Sequence, residues 1–295
     1  MNPAVLITGA TGFVGSRVAA HLVALGWRVH ALVRSSSDVG KVGQRLAAVT
    51  IHRSDGSIES LRAVVRDSHP DVVMHLASHT MRDHSPGALP ALLETNLVFA
   101  TLLLEAMTLE GAVRLVNTGT FQQRFEGREG SPANLYAATK QAFEPLVDGY
   151  VELRGLLAIT LRLPDVYGPD DPRDKLVPLL LRAAATGQPL AASRGDQYID
   201  PVHVEDVARA YAQAAALLCD SAWTGHQRYA VTSGRPIKLT ELVAEMEGAL
   251  GGRVPVQWGS REAWPRTALC PWDMGPGLPG WKPQVALRQG LAGLR

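Results

Sequence analysis

The stretch Ala4-Val5-Leu6-Ile7-Thr8-Gly9-Ala10-Thr11-Gly12-Phe13-Val14-Gly15 decides how the chain is read. A short strand-like run is followed by glycines at the spacing GxxGxxG, and then by a helix-period segment. Glycine at these points lets the backbone approach a pyrophosphate closely. A helix starting there offers unpaired N–H groups and a partial positive charge to an anion. The strand before and the helix behind turn a weak glycine pattern into a dinucleotide-loop signature, although the same glycines also suit a turn that only packs tightly. The helix is expected from near Gly12 to Gly26, where glycine after Val23-Ala24-Leu25 fits a C-terminal cap.

Outward from this loop, short apolar runs alternate with room for helices. They fall at Ala4–Thr8, Val29–Val33, Val49–His52, Val72–Leu76, Val113–Asn117 and Leu156–Leu161. That alternation predicts an α/β fold, a doubly wound parallel sheet of Rossmann-like type. A second helix is expected over Leu89 to Met107. A third, starting near Asn134, is expected to bend or break at Pro145. After Leu161 proline and glycine become frequent, as in LPDVYGPDDPRDKLVP and CPWDMGPGLPGWKP. We therefore expect a dinucleotide-binding domain over 1–163 and a smaller, loop-rich substrate-binding portion over 164–295. A return segment to the first domain is expected near 199–218, from the apolar-periodic Val204–Leu218 after YIDPVH.

With 295 residues and 46% apolar content the chain can build a substantial core. A net charge of +1 with scattered basic residues argues against nucleic acid or a membrane surface as a partner. Cys219 and Cys270 have no metal-ligand spacing and read as ordinary buried thiols. With no basic leader before Ala4, a cytoplasmic protein without a metal is expected.

Two features carry chemistry. Tyr136 and Lys140 stand four apart in LYAATK, so on a helix they share a face. A free phenol titrates near ~10, and a neighbouring ammonium is expected to favour its ionised form and make it a usable acid or base. The second feature is the end of the second strand, Leu32-Val33-Arg34-Ser35-Ser36-Ser37. NAD enzymes place a carboxylate there for the ribose hydroxyls. Arg34 with Ser35 and Ser36 instead suits a 2′-phosphate, the competing reading being a solvated loop arginine.

Together with GATGFVG and YAATK, five further segments give the chain its resemblance to a known family: VVMHLAS at Val72, ETNLVFATLLLEAM at Glu94, LRLPDVYGP at Leu161, GDQYIDPVHVEDVARAY at Gly195 and LPGWKPQVALRQGL at Leu278. The chain resembles the extended short-chain dehydrogenase/reductases, in particular the group of NDP-sugar epimerases, dehydratases and reductases. The resemblance implies a nicotinamide dinucleotide held by Gly9, Thr11, Gly12, Phe13, Val14 and Gly15, with Asp55 beside the adenine. It places Ala77 near the nicotinamide ribose, Lys140 on the ribose hydroxyls, and Asn96 as a helix asparagine supporting the site. Gly56, Leu76, Ser78 and Leu163 complete the implied cofactor contacts, together with Tyr136. The third catalytic member implied is Thr118 in Val-Asn-Thr-Gly-Thr-Phe, and Thr120 is expected to touch the sugar. Either threonine also suits a turn residue bonded to its own backbone.

Departures from the family pattern narrow the reaction. The dehydratases carry an Asp-Glu pair after the strand threonine, where this chain has Gly119 and Thr120. Arg34 suits exchangeable NADPH rather than a permanently held NAD. The resemblance then points to 4-ketoreductases of CDP- or dTDP-4-keto-6-deoxyhexoses, such as CDP-abequose and CDP-paratose synthases. The family's asparagine before VYGP is Asp165 here, and the arginine of its Q-x-R-D run is Ile199. Lys175 and Arg266 are candidates to meet a diphosphate in compensation, or are solvated surface cations. His75 and His203 read as strand-end packing residues. The expected protein is an NADPH-dependent reductase of a nucleotide-sugar in deoxysugar biosynthesis, and a homodimer. An NDP-sugar epimerase, a reductase of a non-nucleotide carbonyl compound, and a non-catalytic dinucleotide-binding regulator remain as alternatives.

Overall fold

The computed structural model describes residues 2–80, 86–263, 266–271 and 273–294. Strands β1 (Ala4–Thr8), β2 (Arg28–Arg34), β3 (Thr50–Ser54), β4 (Val72–His75), β5 (Arg114–Thr120) and β6 (Leu157–Leu163) alternate with helices α1 (Phe13–Ala24), α2 (Ile58–Ser68), α3 (Leu89–Leu93), α4 (Ala100–Leu109) and α5 (Leu135–Arg154). The later chain adds β7 (Asp165–Tyr167), α6 (Leu176–Thr186), β8 (Leu190–Ala191), β9 (Tyr198–Ile199) and β10 (Pro201–His203). It continues with α7 (Val204–Leu218), β11 (His226–Ala230), β12 (Ile237–Lys238), α8 (Leu239–Leu250), β13 (Val256–Gln257) and α9 (Leu287–Ala292).

Seven strands form one parallel sheet in the order β11-β6-β5-β4-β1-β2-β3. The order reverses direction between β1 and β4, so the crevice outside the ends of those two strands is where an open α/β sheet takes its ligand. Every residue of β1 is buried, as a central parallel strand with both faces covered requires. One face packs on α1 and α7 through Val18, Leu22, Val207 and Ala214. The other packs on α2, α4 and α5 through Leu61, Leu103, Leu104 and Phe143. A further apolar cluster, including Tyr167, Leu180, Leu242, Met246 and Leu291, joins α6, α8 and α9.

The structure corrects several expectations. The helix α2 lies between β3 and β4 as the alternation requires, its first turn capped by Ser57, which accepts from the Ser60 N–H. The Leu89–Leu109 helix carries a π-helical stretch, Glu94–Phe99, between α3 and α4. It is long and apolar enough to cross a membrane by length and composition. Its Leu92, Leu103, Leu104 and Met107 are buried in the protein. Pro145 does not end α5, which runs on to Arg154, with Phe143, Glu144 and Val147 buried on both sides of it. The return of the chain extends beyond α7, because β11 pairs with β6 as the seventh strand. Its sequence, His-Gln-Arg-Tyr-Ala, carries too little apolar signal to mark a sheet strand. Cys219 and Cys270 are free and exposed, not buried. Among the described residues no group of three or more His, Cys, Asp or Glu could hold a metal ion.

Candidate active site

The glycine loop turns directly out of β1. Gly9 has φ +73, and a Cβ there would stand 2.6 Å from the Ala77 nitrogen and 2.7 Å from the Leu76 carbonyl carbon, so the end of β4 lies flush against it. A Cβ on Gly15 would overlap the Gly9 carbonyl oxygen. The Gly12 N–H closes the turn on the Gly9 carbonyl at 2.9 Å, and no side chain caps the first turn of α1. Backbone donors at an uncapped helix start, in a cradle that side chains would fill, suit a pyrophosphate. A nicotinamide dinucleotide therefore fits this loop.

The strand ends beside it are locked by hydrogen bonds. The Ala77 N–H donates to Thr8 Oγ1 at 3.1 Å, which leaves the threonine proton for His75 Nδ1, 2.9 Å away. Burial drives the His75 pKa down to about 3, so its ring is neutral and packs between Phe99 and Phe143. Asn96, in the π-helical stretch and buried, accepts from Ser78 Oγ and the His79 N–H. It donates to the His79 carbonyl and to Thr139 Oγ1. All its polar groups serve this bridge, so it joins the end of β4 to α5 rather than facing a ligand.

Helix α5 starts where Asn134 accepts from the Ala137 N–H, and one turn carries Tyr136 and the next Lys140. Tyr136 is hydrogen bonded to Ser78. Burial raises its pKa, and the Ser78 bond and the Arg173 charge oppose that shift without reversing it. Lys140 is not among the groups acting on this phenol. The ammonium lies deeper, 2% exposed, close enough to depress His75 and to feel Glu144, and burial lowers its pKa to about 8. The expectation that Lys140 favours the phenolate is corrected for this state. The shared helix face is real, but burial outweighs it, and Tyr136 is held protonated.

Thr118 and Thr120 stand at the end of β5, which runs past Asn117 to Thr120. Thr118 Oγ1 donates to the His75 carbonyl at 2.7 Å and sits 2.6 Å from Tyr211 Oη. The Thr120 N–H donates to Gln123 Oε1 at 2.7 Å, and Gln123 Nε2 donates to the buried carboxylate of Glu144 at 2.6 Å. Gln122 holds the Asn134 amide at 2.9 Å. These glutamines tie the threonine strand to the tyrosine helix. A Cβ on Gly119 would meet Gln123 Oε1 at 2.7 Å and Thr160 Cγ2 at 2.9 Å, so no larger side chain fits there without displacement.

A cavity of about 850 Å³ opens at this point. Its wall includes Gly9, Gly12, Phe13, Val14 and Gly15 of the loop, Leu76, Ser78 and Leu163 at strand ends, and Thr118, Thr120 and Tyr136. Asp165, Lys175 and Arg266 also line it. Burial, reinforced by the negative charge of Asp200, lifts the Asp165 pKa to about 6, while Lys175 and Arg173 oppose that shift. Arg266 stacks over Phe125 at 4.4 Å and donates to Ser131 Oγ at 2.6 Å. Ile199 lines the wall among apolar neighbours, and Arg261 adds a cation that no motif of the sequence marks.

Thr11, Ala77, Asn96 and Lys140 stand outside the cavity wall, as do Arg34, Ser35, Ser36, Asp55 and Gly56. Arg34 is exposed at the end of β2, and Asp55 beyond β3 accepts from the Ser57 N–H and Oγ. Arg53 Nη1 donates to the carbonyls of Arg34, Ser35 and Ser37, at 3.3, 2.9 and 3.2 Å, so a second guanidinium braces the loop that follows Arg34. The sequence offered no sign of Arg53 because the adjacency of β2 and β3 creates the contact. Tyr211 was missed as well, yet it had a signal. It is a phenol on the alanine-rich stripe Val207, Ala208, Tyr211, Ala214, Ala215, and a buried phenol needs a partner.

Comparison with known proteins agrees with this geometry. Residues 5–221 match the family described as NAD dependent epimerase/dehydratase family. The chain is similar to CDP-abequose synthase of Salmonella muenchen, 26% identical over 82% of this chain and 79% of that one. A trifunctional UDP-glucose 4,6-dehydratase/UDP-4-keto-6-deoxy-D-glucose 3,5-epimerase/UDP-4-keto-L-rhamnose-reductase of Arabidopsis thaliana is 29% identical over 70% of this chain, which spans 34% of that protein. Among solved structures, UDP-glucose 4-epimerase of Thermus thermophilus in complex with NAD superposes with a TM-score of 0.80 at 26% identity, covering 98% of this chain and 96% of that one.

Proposed function

Because the chain belongs to the NAD dependent epimerase/dehydratase family, we propose that it acts as the reductase which its own residues favour, reducing the 4-keto group of a nucleotide-activated 4-keto-6-deoxyhexose with NADPH. The observation that carries the reading is the Tyr136 phenol, kept protonated beside the same cavity that Thr118 and Thr120 line. A protonated acid is what a carbonyl oxygen needs as it becomes an alcohol. A nicotinamide dinucleotide held at the glycine loop would supply the hydride. Tyr136 delivers a proton to the carbonyl oxygen, and Thr118 donates a hydrogen bond to that oxygen. Lys140 would hold the nicotinamide ribose. Gly119 argues against dehydration, since the acid that the dehydratases carry at this position has no room beside Gln123. Arg34 and Arg53 at the cofactor's adenosine end support the choice of NADPH. Lys175, Arg261 and Arg266 in the 164–295 portion are suited to the diphosphate.

A second reading, an NDP-sugar 4-epimerase, is favoured by the NAD in the Thermus thermophilus relative. One experiment separates the two. The purified protein is assayed for NADPH oxidation with CDP- and dTDP-4-keto-6-deoxyhexoses, and its denatured supernatant is analysed for dinucleotide. Turnover of a keto sugar without retained NAD supports the reductase, and stoichiometric NAD with no NADPH oxidation supports the epimerase. The exposed Leu93 and Val98, together with Leu135, Leu146 and Leu153 along α5, offer an apolar face for the homodimer we propose. Light scattering of the Leu146→Glu variant, expected to shift toward monomer, tests it.

A further inference from the structure

Thr118 has one hydroxyl proton and two close partners. The proton goes to the His75 carbonyl, yet Tyr211 Oη stands only 2.6 Å from the same oxygen. A hydroxyl provides one donor and two acceptor positions, so the Thr118–Tyr211 contact is satisfied when the phenol donates. Tyr211 can do so, because burial holds its pKa above the ordinary tyrosine value. It sits on α7, wholly buried and outside the cavity wall, whereas Thr118 is part of that wall.

We propose that Tyr211 is a positioning residue for the reaction, fixing Thr118 as a donor by filling one of its acceptor positions. A phenol that donates into Thr118 Oγ1 leaves the threonine proton two destinations, the His75 carbonyl and an oxygen in the cavity. The hydroxyl changes between them by rotating about its own C–O bond, with the side chain in place. The chain from Tyr211 to Thr118 to the substrate oxygen also polarises the threonine O–H, because hydrogen bonds in series strengthen one another away from water. The His75 carbonyl serves as the resting acceptor, and its ring, locked by Thr8, keeps that carbonyl in place. This role rests on the reading of Thr118 as the residue that binds the carbonyl oxygen.

The test is a kinetic cycle over Tyr211→Phe, Thr118→Val and the double variant, with a 4-keto-6-deoxyhexose nucleotide and NADPH. Tyr211→Phe is expected to lower kcat by about two- to tenfold, the worth of one net hydrogen bond, while leaving KM and NADPH affinity within about twofold. In the Thr118→Val background the same change should cost nothing further, and in the Thr118→Ser background it should cost its full factor. A merely structural phenol would reduce kcat by the same factor in all three backgrounds, and that result would overturn the proposal, as would an unaltered kcat. The contact is read separately from unfolding midpoints in urea of the unmodified protein, the two single variants and the double variant. Additive shifts there would also overturn it, by denying the bond. Inactivity of the unmodified protein would sink the reductase reading and this role with it. Full activity insensitive to Tyr211→Phe would sink the role alone.

Discussion

The glycine loop and the charged part of the cavity wall are built on different principles. Around Gly9 the contacts are backbone on backbone, with spacings that a single Cβ would violate, and the hydroxyl of Thr8 locks the neighbouring strand end. Elsewhere on the wall, Asp165 and Lys175 arrive as side chains of one proline-rich segment, and Arg266 joins them from about a hundred residues further along, at an exposed position with φ +59. The first region has one shape, which a side chain would fill. The second has a charge pattern that substitution can retune without moving the sheet. A fixed cofactor cradle beside an adjustable substrate wall follows from such a division, since each half answers to a different set of forces.

Tyr136 stands on the fixed side, and its replacement gives the largest expected effect. Tyr136→Phe should lower turnover by ~10²–10⁴-fold while leaving the fold and NADPH affinity intact, because only the proton donor is lost. Stopped-flow reduction of a keto sugar with a parallel NADPH titration checks both halves of the statement. Near-normal turnover would remove Tyr136 from catalysis.

Gly9→Ala probes the backbone contact itself. The added methyl meets the Ala77 nitrogen at 2.6 Å in a residue with positive φ, and neither partner can step aside. Strain of this kind costs about 1–3 kcal/mol from the backbone conformation alone. A fall in the urea midpoint accompanied by loss of NADPH binding is expected. If the variant binds cofactor normally, the cradle is looser than the contact implies.

Arg34→Ala leaves the cradle alone and alters only its rim. A charge-assisted hydrogen bond is worth about 1.5–3 kcal/mol, so the preference for NADPH over NADH should fall by roughly ten- to a hundredfold. Separate dissociation constants for the two cofactors measure it, and equal affinities in the unmodified protein would refute the assignment of Arg34.

On the adjustable side, the smallest effect is expected from Asp165→Asn. With a pKa of about 6, Asp165 carries negative charge above that pH and is neutral below it. Binding of an anionic diphosphate should weaken as pH rises through this value, raising KM several-fold, and the asparagine variant should flatten the dependence. Lys140 sets the other limit. It is charged below about 8 and loses its proton above, so turnover should decline through that pH with Asp165 present or absent. Its effect on stability has the opposite direction. Between about 8 and 10.5 the unfolded chain holds a proton that the folded chain has released, so the penalty for burying the ammonium fades and stability rises with pH there.

Residue order alone is enough wherever the physics is local. Gly9, Gly12 and Gly15 are legible because the approach they permit needs a residue without a side chain. The alternation of apolar runs points to a parallel sheet because both faces of each strand must be covered. Tyr136 and Lys140 share a helix face because 3.6 residues make a turn. Whatever depends on which segments meet is settled only on folding. The folded chain brings Tyr211 from α7 to Thr118, sets Arg53 under the loop after Arg34, and completes the sheet with β11. Protonation is of the same kind. The spacing of Tyr136 and Lys140 suggested an activated phenolate, but desolvation depends on the whole surrounding core, and here it keeps the phenol protonated and weakens the hold of Lys140 on its own proton.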